Sequence, residues 1–178
     1  MIRTCIAAAA AIFALVPLAA PAHAGEVYGG VYAHAVDTPF TLETGEGGTD
    51  LQFGYRFDPV LGPLRIEPYV FGSVNLDGNT DFGGVGVSRK IPVGLIYVRP
   101  GVGLVVHDAP GYRVDMATGY RTDLGSRVLF EPEIAVGTRI APRLTVEASW
   151  VHISNARLFN SEQNPGIDTI GLRLNLHL

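Results

Sequence analysis

Residues 171–178 read Gly171-Leu172-Arg173-Leu174-Asn175-Leu176-His177-Leu178, with leucine at every second position. Successive side chains of a β-strand point to opposite faces, so this stretch predicts a strand with one apolar and one polar face. Residues 50–57 alternate in the same way. After residue 24, no apolar run approaches the roughly 20 residues that a membrane-spanning helix needs. If this chain enters a membrane, we therefore expect it to do so as strands.

Turn residues divide the rest of the chain into short alternating segments. We expect eight strands, at roughly 27–36, 48–57, 64–74, 79–88, 94–106, 127–138, 143–154 and 166–178. Short turns are expected at 58–63, 90–93 and 140–142, and longer loops at 37–47, 107–126 and 155–165. An even number of strands, with short turns at one end and long loops at the other, is typical of outer-membrane barrels. The sequence therefore predicts an all-β protein, an eight-stranded antiparallel transmembrane β-barrel.

The polar faces of these segments collect charges of both signs. They are Arg56, Arg65, Glu67, Arg99, Glu131, Glu133, Glu147 and Arg173. A charged lumen inside an apolar wall suits a small membrane barrel, whose narrow interior is filled by side chains. The alternative is a soluble periplasmic barrel of the lipocalin kind, with the apolar face turned inward around a lipid and the charged face in water.

The first 24 residues have the pattern of an export signal. Arg3 supplies the positive start, residues 6–18 the apolar run, and Ala22-His23-Ala24 the cleavage site. Residues 1–24 are therefore expected to be removed as a signal peptide, leaving 25–178 as the barrel domain. Cys5 leaves with the signal, so the mature domain has no disulfide. Its net charge is about −5, and it has no basic block that would favour nucleic acid as a partner.

Residues that suit nucleophilic catalysis fall on the apolar face of the last two strands. On strand seven this face carries His152 and Ser154, and the leucine parity of strand eight extends back to Asp168. A register that pairs Glu147 with Arg173 puts opposite charges side by side and also pairs His152 with Asp168. Cross-strand neighbours have Cβ atoms about 4.5–5.5 Å apart, and an imidazole bridges the roughly 6.6 Å to a residue two positions along the strand. A serine, a histidine and an acid thus lie on one surface.

The same pair, His152 and Ser154, is expected near the outer membrane boundary. The strand from residue 142 to residue 152 rises by about 25 Å once tilted, which is the height of the apolar band. An ester between an acyl chain and a lipid headgroup is the natural substrate at that depth. The simpler interpretation is a pair of interfacial polar residues with ordinary hydrogen bonds. The chain has no Gly-x-Ser-x-Gly elbow, which excludes a soluble α/β-hydrolase.

Other polar residues near this pair have weaker signals. Asn155 and Asn164 are either turn residues at a hairpin tip or amide donors to an oxyanion. The histidines outside the pair show no metal-ligand spacing, and we expect neither a metal nor an organic cofactor.

The stretches His152-Ile153-Ser154-Asn155-Ala156 and Asn164-Pro165-Gly166-Ile167-Asp168, with the alternating strand that follows, resemble the PagL-type lipid A 3-O-deacylases. That family forms eight-stranded outer-membrane barrels with a Ser-His-acid triad on the outside wall. The resemblance implies that Ser154 is the nucleophile, His152 the general base and then acid, and Asp168 the orienting acid, where the family has glutamate. It also implies lipid A, or lipopolysaccharide, as substrate and a location in the outer membrane of a Gram-negative bacterium, surrounded by its lipid.

The resemblance extends to the residues that would hold the oxyanion. Asn164 matches the family's oxyanion amide. Arg157 stands in place of the family's oxyanion glycine, and its backbone N–H remains able to donate. The Arg157 side chain is either a contact to a lipid A phosphate or an ordinary solvated loop residue.

A second interpretation is a non-catalytic structural or adhesion barrel. Its function would lie in the loop 107–126, where Arg113, Asp115, Tyr120 and Arg121 are available to partners. The barrel is expected either to stand alone or to form a homodimer.

Overall fold

Alternating apolar and polar residues build most of the chain into antiparallel strands. The computed structural model describes residues 25–41, 43–158 and 164–178, so the expected signal peptide 1–24 lies outside the described residues. The strands are β1 (Glu26–Ala33), β2 (Thr49–Arg56), β3 (Glu67–Asn75), β4 (Phe82–Ser88), β5 (Ile91–Val93), β6 (Ile96–His107), β7 (Val128–Ala141), β8 (Leu144–Ser154) and β9 (Gly166–His177). A single-turn 3-10 helix spans Gly62–Leu64. Within the described ranges, no helix is long and apolar enough to cross a membrane.

The strands close into a barrel of eight wall positions. Neighbouring strands pair antiparallel around the sheet, and β1 pairs with β9 to complete the ring. β4 and β5 share one position, because both pair with β6, β4 along residues 101–107 and β5 along residues 96–98. The predicted eight-stranded antiparallel barrel is confirmed. The turn predicted at 90–93 is wrong: these residues include β5, and the chain reverses after it at Gly94, whose φ of 63° suits a glycine.

Apolar side chains form the outer wall of this barrel, and polar side chains fill its lumen. On β9, Leu172 is 63 % exposed and the adjacent Arg173 only 1 % exposed. Leu174 and Asn175 repeat the contrast. The alternative of a soluble barrel with its apolar face inward is therefore wrong. The outward apolar wall instead suits a barrel that lies in a membrane.

The lumen is held together by ion pairs between buried charges. Three arginines share four glutamates there, in the pairs Arg56 with Glu26 and Glu133, Arg99 with Glu26, Glu67 and Glu147, and Arg173 with Glu133 and Glu147. Buried charges are tolerated when they are paired in this way. The prediction that Arg65 joins them is wrong. Arg65 is exposed in the turn before β3, where its left-handed backbone, with φ of 48°, caps the end of the 3-10 helix instead of continuing into a strand.

The connections 34–48, 108–127 and 155–165 all leave from one end of the barrel, which is the outer end by the loop asymmetry of such proteins. A buried polar cluster anchors the loop 34–48 there. His34 lies 2.9 Å from Asp50 and 2.8 Å from Glu46, and Arg113 of the loop 108–127 lies 2.5 Å from Glu46. Burial opposes the charged form of His34, but the bonds to the two carboxylates outweigh it and raise the pKa of His34 to about 9. Burial likewise opposes ionisation of Glu46, but its hydrogen bonds, first among them that from His34, lower the pKa of Glu46 to about 2.

Candidate active site

The register of β8 against β9 brings the candidate residues together. The two strands pair Glu147 with Arg173, and the same ladder pairs His152 with Asp168. Arg173 Nε donates to Glu147 Oε2 at 2.5 Å, so the charge pair that predicted the register is present in the lumen. The predicted register is confirmed, and it fixes the acid beside the histidine.

A continuous chain of hydrogen bonds joins the serine, the histidine and the acid. His152 Nδ1 lies 2.7 Å from Asp168 Oδ1, and His152 Nε2 lies 2.8 Å from Ser154 Oγ. A carboxylate only accepts, so Nδ1 carries the proton and Nε2 is free to accept the Ser154 hydroxyl proton. His152, Ser154 and Asp168 are 9 %, 5 % and 0 % exposed. The group is therefore arranged for proton transfer from Ser154, in a site from which water is largely excluded.

Ser154, His152 and Asp168 are buried although they have the outward parity of the barrel wall, and part of the loop 34–48 contacts this site. Thr38 Oγ1 donates a hydrogen bond to Asp168 Oδ2, and the Val36 N–H donates to the Asp168 carbonyl at 2.8 Å. The Trp150 ring stacks on His152 with centroids 5.9 Å apart, and Phe40 packs on Trp150 at 5.8 Å. Sequence reasoning missed these loop residues. They reach the site because β1 pairs with β9 along its length, and the chain beyond β1 continues beside Asp168.

Gly166 gives the imidazole its room. It is the cross-strand partner of Ser154, and a Cβ added to it would lie 2.8 Å from His152 Cε1 and 2.9 Å from the Ile153 carbonyl oxygen. Sequence reasoning missed this role too, although the predicted register already pairs Gly166 with Ser154. A glycine directly across from the candidate nucleophile was the signal to look for.

Asn155 and Arg157 contact each other in the turn that follows Ser154. Asn155 is fully buried, its Nδ2 donates to the Leu124 carbonyl at 3.1 Å, and its Oδ1 accepts the Arg157 N–H at 2.7 Å. Ala156 and Arg157 both have left-handed backbones, with φ of 51° and 58°. The Asn155 amide thus ties the turn to the loop 108–127. The backbone N–H of Arg157 is already engaged in this structure, while the Arg157 side chain is exposed.

Asn164, two residues before Gly166, differs from Asn155 in its hydrogen bonding. Its Oδ1 is buried and has no hydrogen-bond partner among the residues that the structure describes. This oxygen is the acceptor of the Asn164 amide, whereas an oxyanion would be bound by the Nδ2 donor.

In residues 25–41, 43–158 and 164–178, no group of three or more His, Cys, Asp or Glu side chains is arranged to hold a metal ion.

Comparisons with known proteins agree with this architecture. The model of the family described as lipid A 3-O-deacylase (PagL) matches residues 65–177. The crystal structure of the outer membrane enzyme PagL superimposes with a TM-score of 0.61 at 18% identity, covering 86% of this chain and 99% of that chain. The N-terminal β-barrel domain of Pseudomonas aeruginosa OprF has a TM-score of 0.53 at 8% identity, covering 86% and 97%. A de novo designed transmembrane β-barrel has a TM-score of 0.52 at 14% identity, covering 89% and 98%. At these identities the structural likeness shows the fold, and no curated protein matches in sequence.

Proposed function

Because the chain belongs to the lipid A 3-O-deacylase (PagL) family and forms an outer-membrane barrel, we propose that it is a serine esterase that removes the ester-linked hydroxyacyl chain from the 3-position of lipid A. The observation that carries this proposal is the hydrogen-bonded chain from Ser154 through His152 to Asp168 on the outer wall. Its members have the chemistry of a nucleophile, a base and an orienting acid, and they stand in that order.

The first half of the reaction forms an acyl-enzyme. His152 Nε2 takes the Ser154 hydroxyl proton while Ser154 Oγ attacks the ester carbonyl carbon of the substrate. The tetrahedral intermediate collapses when the bond to the sugar oxygen breaks, and the imidazolium of His152 returns its proton to that oxygen. Asp168 stays ionised throughout and stabilises the imidazolium.

The second half restores the enzyme. His152 takes a proton from water, whose oxygen attacks the acyl-enzyme carbonyl, and the bond to Ser154 Oγ breaks. Ser154 regains its proton from His152, and the products are a free hydroxy fatty acid and a sugar hydroxyl. Every atom and proton is accounted for by the ester and one water, so the steps need no redox partner.

Asn164 is the proposed side-chain donor to the oxyanion, together with backbone N–H groups near Ser154. This role rests on the match of Asn164 to the oxyanion amide of the family, and the donor would be Asn164 Nδ2. Asn155 is proposed to act indirectly, by holding the turn after Ser154. The exposed guanidinium of Arg157 is free to contact a lipid A phosphate, which accepts bidentate hydrogen bonds from arginine.

The position of Ser154 supports a lipid as the substrate. Ser154 ends β8 at the end of the barrel with the long loops, with the same outward parity as the apolar wall. This height corresponds to the outer boundary of the apolar band, where the acyl chains of a membrane lipid meet its sugar headgroup. The scissile ester of lipid A lies at that junction.

The direct test is mass spectrometry of purified lipid A incubated with the refolded protein in detergent. Wild type, Ser154→Ala, His152→Ala and Ser149→Ala are compared. Ser149 is the matched control, because it lies on β8 but faces the lumen, where it bonds to Tyr32 at 2.7 Å. A second lipid A that lacks the 3-linked chain serves as the substrate control.

We expect wild type and Ser149→Ala to remove one hydroxyacyl mass from the first lipid A and nothing from the second. Ser154→Ala and His152→Ala should remove nothing, while circular dichroism shows that their barrels are folded. Full activity in either of these variants contradicts the proposed nucleophile and base. No mass change with folded wild type contradicts the activity itself and favours the non-catalytic barrel.

A further inference from the structure

We propose that Thr38, in the loop between β1 and β2, is a positioning residue that holds the Asp168 carboxylate in the plane required by His152. This inference rests on the proposed function, since it concerns the acid of the same site. Thr38 lies 130 residues away from Asp168 in sequence, and its hydroxyl donates to Asp168 Oδ2. The other oxygen, Oδ1, accepts from His152 Nδ1 at 2.7 Å.

Each oxygen of the Asp168 carboxylate thus accepts a hydrogen bond from a different donor. A carboxylate held through one oxygen still rotates about its Cβ–Cγ bond, whereas one held through both oxygens has a fixed plane. Asp168 is fully buried, so its second oxygen would be left unsatisfied without the Thr38 hydroxyl. An unpaired buried acceptor of a charged group is costly, and the carboxylate would turn to relieve it. Thr38 therefore sets the direction from which Oδ1 meets the imidazole.

The local turn fixes the direction of the Thr38 hydroxyl. The Phe40 N–H donates to Thr38 Oγ1 at 3.1 Å, so one lone pair of the hydroxyl oxygen is occupied and its proton points to Asp168. The Thr41 N–H donates to the Thr38 carbonyl at 3.3 Å and closes the turn. A threonine whose oxygen accepts from its own turn is a typical preorganised donor.

The loop that carries Thr38 is itself held against β9. The Val36 N–H donates to the Asp168 carbonyl at 2.8 Å, which extends the β1–β9 ladder beyond the strand end. Phe40 packs on Trp150, which stacks on His152. The loop thus contacts Asp168 through the Val36 backbone and the Thr38 hydroxyl. It reaches His152 indirectly, because Phe40 packs on the Trp150 ring that stacks on His152. These contacts contribute to the burial of Asp168 and His152 on the outer wall.

The test separates the Thr38 hydroxyl from the Thr38 side-chain shape. Thr38→Val keeps the shape and removes the hydroxyl, and Thr38→Ser keeps the hydroxyl. We expect Thr38→Val to lower kcat about tenfold or more, because the variant loses the hydrogen bond to the charged Asp168 carboxylate. KM should not change, because Thr38 acts through Asp168 and not on the substrate. Thr38→Ser should restore most of the wild-type kcat. Thr41→Val, which loses only a 3.5 Å bond within the same loop, is the matched control and should be unchanged.

A double-mutant cycle with Asp168→Ala gives the decisive readout. When Asp168 has no carboxylate, Thr38→Val should cause no further loss of kcat, because Thr38 acts only through that carboxylate. Equal losses in both backgrounds would overturn the proposal and indicate a general structural role. A rise in KM at constant kcat would overturn it too, and would assign Thr38 to substrate binding.

Failure here is distinguishable from failure of the proposed function. If Ser154→Ala is inactive and Thr38→Val has wild-type kcat, only the role of Thr38 is overturned. If Ser154→Ala retains activity, the proposed function is overturned at its nucleophile, whatever Thr38→Val does.

Discussion

Gly166 and His152 are so close that a Cβ on Gly166 would lie 2.8 Å from His152 Cε1. Cβ atoms essentially never approach other heavy atoms below 3.0 Å, and the nearby Ile153 carbonyl blocks a shift of the new methyl group. The imidazole would therefore have to move, and with it Nε2 would leave its position 2.8 Å from Ser154 Oγ. The space for the His152 imidazole is thus set by the residue opposite Ser154.

We expect Gly166→Ala to lower kcat by about 100-fold, since displacements of about 1 Å at a reacting group cost that much. The measurement is steady-state release of fatty acid from lipid A in detergent. Gly47→Ala is the matched control, because a Cβ added to Gly47 would have no heavy atom within 4 Å. A wild-type kcat in folded Gly166→Ala would contradict this prediction, because it would show that the imidazole accommodates the added methyl group.

Asp168→Asn should lower kcat strongly without abolishing activity. The amide keeps the size of the side chain but loses the charge that stabilises the imidazolium, and in serine hydrolases that change costs up to about 10⁴ in rate. Ser154→Ala should be lower still. Asp115→Asn, in an exposed turn of the loop 108–127, is the control and should match wild type. Equal rates for Asp168→Asn and wild type would remove the acid from the mechanism.

Asn164→Ala and Asn155→Ala should fail in different ways. Asn164→Ala is expected to reduce kcat by about 10² to 10³, which is the usual cost of one lost oxyanion donor. Its unfolding midpoint should not change. Asn155→Ala removes the bonds to Leu124 and Arg157 and should lower the unfolding midpoint in urea as well as kcat. The comparison needs both assays on both variants. An unchanged kcat in Asn164→Ala would exclude that amide as a donor.

The cluster around His34 predicts how the loop 34–48 responds to pH. The pKa of His34 is raised to about 9 from its ordinary value of 6.5, so the stability it adds is complete below pH 6.5 and is lost as the pH rises through 9. The lowered pKa of Glu46 has the opposite sign, and its contribution is lost as the pH falls from 4.5 through 2. Limited proteolysis of this loop should therefore be slowest near pH 5–6 and faster above pH 9.

His34→Gln tests the alkaline limb of that profile. It retains hydrogen-bonding capacity but does not titrate, so its cleavage rate should stay flat between pH 6.5 and 10, apart from the pH dependence of the protease. The same protease acting on an unstructured peptide gives that correction. A step near pH 9 that survives in His34→Gln would place the titrating group elsewhere.

Much of this site could be predicted because opposite charges on one face fixed a register. Glu147 and Arg173 lie in the lumen, yet their pairing there determined that His152 meets Asp168. Strict alternation does the rest, because each residue of a strand then has a known face. The same argument failed at Arg65, where a 3-10 turn interrupts the alternation before β3 begins.

Thr38 was beyond sequence reasoning for a physical reason. Its contact with Asp168 depends on how the barrel closes between β1 and β9, and no charge pair fixed that register in advance. Nor did the sequence show that Asn155 engages the backbone N–H of Arg157. Turn geometry after Ser154 depends on two consecutive left-handed residues, Ala156 and Arg157. Neither is a glycine, so the sequence did not indicate a left-handed turn there.

Ser154 has the outward parity of β8 at the loop end of the barrel, and this has a kinetic consequence. A molecule reaches such a position by diffusing sideways within the leaflet rather than from bulk water. The effective concentration of substrate is then its mole fraction in the surrounding lipid or micelle, and its molarity in the sample has little meaning. Diluting lipid A with inert detergent at constant total amount should slow the proposed hydrolysis, as expected of an enzyme that works in two dimensions.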